Sequence, residues 1–111
     1  MSYSSRKQIL ITVIVDVKVK PKLLEEYIET ALLLTKESRC RAGCISYVFN
    51  QSLEDATKFS LYEQWESEEH LNEHIKALIA LFGAPKPGDM LPAKLINFYE
   101  SAKPTSYRTL G

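Results

Sequence analysis

The stretch His70-Leu71-Asn72-Glu73-His74 carries the only two histidines of the chain, four residues apart. Residues at i and i+4 share a helix face, and with Glu73 between them they match the H-x-x-E-H pattern of inverted zinc peptidases. A peptidase zinc also needs a third protein ligand and a cleft wide enough for a peptide. The cysteines, Cys40 and Cys44, are spaced C-x3-C, which is neither a zinc knuckle nor the C-x-x-C redox pair. The pattern puts both on a turn remote from the histidines, so no metal site is expected.

His74 alone is a better candidate. It stands three residues after Leu71 and four before Leu78, on the apolar side of a helix. Burial there favours the neutral imidazole and leaves a proton acceptor near pH 7. The plainer alternative is a core histidine bonded to a carbonyl or a tyrosine. His70 is rotated about 100° from Leu71 and belongs at the solvent boundary. Glu63 and Trp65 share a strand face with Phe59 and Leu61. A carboxylate on such a face is either ion-paired for structure or functional. A tryptophan at the strand end packs in the core or stacks on a flat ligand. The phenols of Tyr47 and Tyr62 could hydrogen-bond a substrate oxygen. No glycine-rich phosphate loop, serine elbow or spaced Cys/His pair is present.

The elements that must hold these residues follow from the pattern. After a polar segment, 1–8, the run 9–19, "ILITVIVDVKV", is apolar on both alternating faces for most of its length. That predicts a central strand covered on both sides. Pro21 opens an amphipathic helix of about 18 residues, with Leu24, Tyr27, Ile28, Ala31, Leu32 and Thr35 on one stripe. "CRAGC" ends it, with Gly43 as the turn residue. Residues 44–52 and 58–66 alternate and are joined by "LEDAT", which predicts a hairpin. Ser67 is a helix N-cap, with Glu68 and Glu69 at the positive end of the dipole. The second helix carries Leu71, His74, Ile75, Leu78 and Phe82 on one face and stops at Gly83. A proline- and glycine-rich loop leads to a last strand over 93–102 and a tail over 103–111.

The order β-α-β-β-α-β is the split βαβ arrangement, an α+β, ferredoxin-like fold with four antiparallel strands and both helices on one face. A first strand apolar on both faces then needs a second cover. Each large side chain left wet forgoes roughly 1.5–3 kcal/mol, so a homodimer, sheet against sheet, is expected.

Composition agrees with one ordinary domain of 111 residues: 45% hydrophobic, 25% charged. Fourteen basic and fourteen acidic side chains give no net charge, so no global field draws in nucleic acid or a membrane. No run approaches the roughly 20 apolar residues that span a bilayer. "RKQILITVIV" begins like a signal peptide, but Asp16 and Lys18 follow without a small-residue cleavage site. Two unpaired thiols fit a reducing, cytoplasmic setting.

The segment 59–74, "FSLYEQWESEEHLNEH", resembles the signature of the antibiotic biosynthesis monooxygenase family: an aromatic strand, Glu, Trp, a Ser cap, then a helix with His on its inner face. "RAGCISY" (41–47) resembles that family's turn into its second strand, with Ala42 where a proline is usual. The resemblance covers about residues 9 to 100 and implies a dimeric α+β barrel. It also implies oxidation of a quinol or phenol by molecular oxygen without flavin, haem or metal. Carried over, His74 is the base or hydrogen-bond partner and Trp65, Tyr47 and Phe82 are pocket walls, with Glu63 beside them toward the substrate. Many relatives carry a second histidine about one turn further along the inner helix, where Ile79 or a neighbour stands here. Isomerisation of a small phosphorylated carbohydrate, which some relatives perform, would need basic residues at the pocket, and Arg39, Arg41 and Lys94 are the available donors. Haem degradation depends in relatives on a tryptophan on the inner helix, which this chain lacks. A non-catalytic dimeric ligand-binding module is the remaining expectation.

Overall fold

The β-branched run does become the centre of a sheet. The computed structural model describes residues 9–110, and the tail expected over 1–8 lies outside them. β1 (Ile11–Val19) is followed by a single 3₁₀ turn at Pro21–Leu23 and by α1 (Leu24–Arg39). β2 (Cys44–Gln51) and β3 (Lys58–Trp65) form the expected hairpin. α2 (Glu68–Phe82), a helical turn α3 (Ala93–Ile96) and β4 (Tyr99–Arg108) complete the chain. All pairings are antiparallel, in the order β2-β3-β1-β4. This is the ferredoxin-like α+β fold. No helix among the described residues is long and apolar enough to cross a membrane.

Alternation decides what packs. Val13, Val15, Val17 and Val19 of β1 and Phe59, Leu61 and Trp65 of β3 point to one face and are buried. Each such side chain contributes about 1.5–3 kcal/mol relative to exposure. Tyr27 of α1 lies at the middle of this layer, with the rings of Phe49, Phe59, Phe98 and Tyr99 all edge-on within 6.1 Å between centroids. Its hydroxyl is 3.0 Å from that of Tyr99, so the two buried phenols satisfy each other.

Several expected positions move. β1 is apolar on its helix-covered face only; the other face carries Thr12, Asp16 and Lys18 around Ile14. Part of the apolar run, Ile9 and Leu10, precedes the paired segment. The buried stripe of α1 is Tyr27, Ala31, Leu34 and Ser38, while Leu32 is 67% exposed, so the helix is rolled from the expected stripe. Ile45 is the extra residue of a bulge, since Cys44 pairs with Trp65 and Ser46 with Gln64, and it turns outward. Ile75 is likewise exposed at 42%.

The last strand is displaced most. Residues 93–96 form α3, Leu95 fills the core, and β4 pairs with β1 as far as Arg108 opposite Ile11. Of the stretch expected to be a tail, 103–111, residues 103–108 are therefore strand. β4 has a neighbour on one side only, which is why Pro104 and Lys103 are tolerated there.

Candidate active site

The inner face of β3 presents Glu63 between Leu61 and Trp65, with Tyr47 of β2 and Val13 of β1 as its cross-strand neighbours. α2 then lays its one buried residue against them. That residue is His74, 2% exposed. Ser67 sets its placement: the Ser67 Oγ accepts the backbone N–H of His70 at 3.2 Å and fixes the first turn of α2.

The imidazole of His74 stacks on the Trp65 indole, 4.5 Å between centroids at 30°, and meets the Tyr47 ring edge-on at 5.5 Å. The Trp65 indole N–H donates to Glu63 Oε1 at 2.9 Å. That same oxygen is 3.7 Å from His74 Nε2. Neither ring nitrogen of His74 has a hydrogen-bond partner. In a core where buried polar atoms are almost always paired, two orphaned nitrogens on one ring call for an explanation.

Burial sets the charge states. It pushes the Glu63 carboxyl up to about 7, against the pull of the Trp65 hydrogen bond. It pushes His74 down to about 4, and the nearby Arg41 guanidinium acts in the same direction. Burial and then Glu63 raise the Tyr47 phenol well above its ordinary range, so it stays neutral.

A recess of about 500 Å³ reaches His74 from the surface. Its walls are Glu37 and Cys40 at the end of α1, Arg41 and Ala42 in the turn, and His70, Glu73 and His74 on α2. Of the five residues expected to form the pocket (His74, Trp65, Tyr47, Glu63 and Phe82), His74 alone lines it. Trp65, Tyr47 and Glu63 stand behind the imidazole, and Phe82 lines a different cavity of about 330 Å³ with Phe98 and Lys94. The structure thus joins four of the five expected residues and separates Phe82, two turns further along α2.

Arg41 is on the recess wall, whereas the Arg39 Nε–H donates to the Tyr47 carbonyl at 3.1 Å. Cys40 corrects the sequence reading, because it shares the recess with both histidines. The turn folds back onto α2: the Glu66 N–H donates to the Gly43 carbonyl at 2.8 Å, and the His70 ring packs on Gly43. A Cβ on Gly43 would overlap that ring, and its φ of +81° also favours glycine. No spacing rule brings a cysteine before this turn to a histidine 30 residues on; the glycine between two cysteines was the available hint.

His70 has a structural task, its Nδ1 lying 2.7 Å from the Ser67 hydroxyl. Glu73 is exposed and pairs with Lys76 at 3.1 Å. Among the described residues, no group of three or more His, Cys, Asp or Glu is placed to hold a metal ion.

A buried Trp–Glu pair on a strand, a serine cap and an inward histidine on the next helix are therefore one constellation. The sequence profile of the family described as antibiotic biosynthesis monooxygenase matches residues 10–77. The chain belongs to this family. Solved structures agree at the level of fold. A proposed antibiotic biosynthesis monooxygenase from Nitrosomonas europaea superposes with a TM-score of 0.75 at 21% identity, covering 93% of this chain and 92% of that one. Rv0793 from Mycobacterium tuberculosis gives 0.76 at 18% identity, covering 92% and 96%. An uncharacterized protein of Synechocystis, sll1783, is 33% identical over 61 residues, 55% of this chain and 42% of that relative's length. The family match ends three residues beyond His74, so it contains every member of the cluster and leaves out Phe82.

Proposed function

We propose that this antibiotic biosynthesis monooxygenase family member oxidises a quinol or another phenolic small molecule with molecular oxygen, independently of any cofactor, in the recess that ends at His74. The observation that supports this reading is the histidine itself: the one buried residue of α2, unpartnered at both nitrogens, in the lining of a recess of about 500 Å³. A phenolic hydroxyl reaching the ring would satisfy one nitrogen and lose its proton to it. The phenolate can pass an electron to oxygen; recombination at an unsubstituted ring carbon, para in a simple phenol and ortho to a hydroxyl in a quinol, and loss of water then give a quinone or a hydroxyquinone. One oxygen atom is retained in the product and the other leaves as water, so phenol plus O₂ balances to quinone plus H₂O. Trp65 and Tyr47 act from behind by holding the imidazole in place.

In the same reading the chain works as a homodimer through its uncovered sheet face, where Ile14, Val48, Tyr62 and Thr105 form an apolar-centred row by strand register. Free thiols at Cys40 and Cys44 suit the reducing cytoplasm. Arg41 on the recess wall favours a second reading, an enzyme acting on a small anionic substrate at the same site.

Oxygen uptake by the purified protein with a panel of hydroquinones and naphthalenediols tests the proposal. Uptake should exceed the autoxidation blank, and His74→Ala should lower it on the order of 10²-fold or more. Uptake equal to the blank across the panel, or a fully active His74→Ala variant, rules it out.

A further inference from the structure

A histidine held near 4 is a poor acceptor for a phenolic proton, so His74 needs help from a second group. We infer that Glu63 and His74 form one proton-holding unit, in which Glu63 is the positioning residue that makes the His74 imidazole basic enough to deprotonate a ligand in the recess. This rests on the proposed site and assigns a role to a residue that does not line it.

Geometry carries the inference. Glu63 Oε1 and His74 Nε2 are 3.7 Å apart in surroundings where both side chains are more than nine-tenths buried. Oε1 is fixed by the indole N–H of Trp65, and the stacking of His74 on that indole fixes the imidazole plane. Nδ1 is the nitrogen left without a neighbouring acid. Nδ1 is buried as the structure stands; a small movement of the ring toward Oε1 that also opens Nδ1 to the recess would make Nε2–H the donor to the carboxylate and leave the Nδ1 lone pair for a ligand hydroxyl. When that hydroxyl gives up its proton to Nδ1, the imidazolium is paired with a carboxylate 3.7 Å away instead of standing alone in a dry site. The arrangement has the logic of a buried carboxylate behind a catalytic histidine, where the acid selects the tautomer and stabilises the cation.

The titratable groups around the pair come from each packed element. Arg41 faces His74 from the turn, Glu37 and Cys40 at the end of α1 and His70 and Glu73 on α2 share its recess, Cys44 and Tyr47 face Glu63 from β2, and Tyr99 of β4 acts on Tyr47. β1 offers Val13 opposite Glu63. With Glu63 near 7 and His74 near 4, the unit holds one proton through the mildly acidic range and releases it near 7. As a pair it then takes up its first proton at the step near 7 and not at the step near 4.

An NMR pH titration of the intact protein tests this without requiring turnover. The His74 ring nitrogens and the Glu63 side-chain carboxyl carbon are followed from about pH 3.5 to 9, a range that brackets both steps. Both residues should respond together near pH 7, and Glu63→Gln should abolish the His74 response there, leaving a single step near 4. Should Glu63→Gln fail to fold, Trp65→Phe serves. Loss of the indole donor should move the Glu63 step upward and carry the His74 response with it. Independent titration overturns the inference: Glu63 in the ordinary carboxyl range, or a His74 response near 7 that persists in Glu63→Gln. A joint titration with no oxygen uptake would retain the proton unit and reject the monooxygenase reading.

Discussion

At the scale of single residues, the decisive feature is a proton transferred between side chains on folding. Unfolded, His74 and Glu63 titrate near 6.5 and 4.5; folded, His74 falls to about 4 and Glu63 rises to about 7. The depressed histidine makes stability increase as pH rises from about 4 to 6.5, because the unfolded chain binds the extra proton. The raised carboxyl makes stability decrease as pH rises from about 4.5 to 7, because the folded chain binds it. Between about 4.5 and 6.5 the two slopes oppose each other, so the pair contributes little pH dependence. In Glu63→Gln only the histidine slope remains, and stability should gain up to about 3 kcal/mol over that window. Urea denaturation at a series of pH values and fixed protein concentration reads this directly. Identical pH profiles for Glu63→Gln and the parent would contradict it.

At the scale of elements, α2 is a delivery device. Its N-cap, its first turn and the glycine turn before β2 are interlocked through Ser67, His70 and Gly43. Replacing Ser67 by Ala removes the acceptor for the His70 N–H and the partner of His70 Nδ1 together. The expected cost is about 1–2 kcal/mol, the upper end of a helix cap, measured by chemical denaturation; a loss within a few tenths would mean that the cap is not holding the turn. Such elements are the most legible part of the sequence. The Ser67 cap, the Gly83 stop, the 58–66 alternation and the position of His74 on the inner stripe all follow from local rules. The bounds of β4 were not legible, because an edge strand buries little and shows no alternation: Glu100, Lys103, Ser106 and Arg108 are exposed on a ladder with one neighbour. The roll of α1 was not legible either, since Leu32, Leu33 and Leu34 are equivalent by type and only the Tyr27 aromatic layer selects Leu34.

At the scale of the whole molecule, the uncovered sheet face is the surface on which the proposed assembly depends. Val48 is 36% exposed and Tyr107 50%, beside Ile14 and Tyr62 on the same face. Sheet-to-sheet pairing should give a solution mass of twice the chain by sedimentation equilibrium. Val48→Lys, at a site already exposed in the protomer, should shift the species toward monomer while leaving the circular dichroism spectrum unchanged. A parent protein that sediments as a monomer at micromolar concentration would remove the dimer from the picture. The single-chain fold would stand, because both helices and their core lie on the other face.

Sequence periodicity by itself determined the β-α-β-β-α-β order, the hairpin, the caps of α2 and the inward direction of Glu63, Trp65 and His74, because each depends on contacts within a few residues. Only the tertiary structure decided which of them meet. The 3.7 Å approach of Glu63 to His74, the recess shared with Cys40 and Arg41, and the separation of Phe82 depend on how α2 crosses the sheet and how the Gly43 turn folds beneath it. Those distances are fixed by packing between segments far apart in the chain, and no local spacing encodes them.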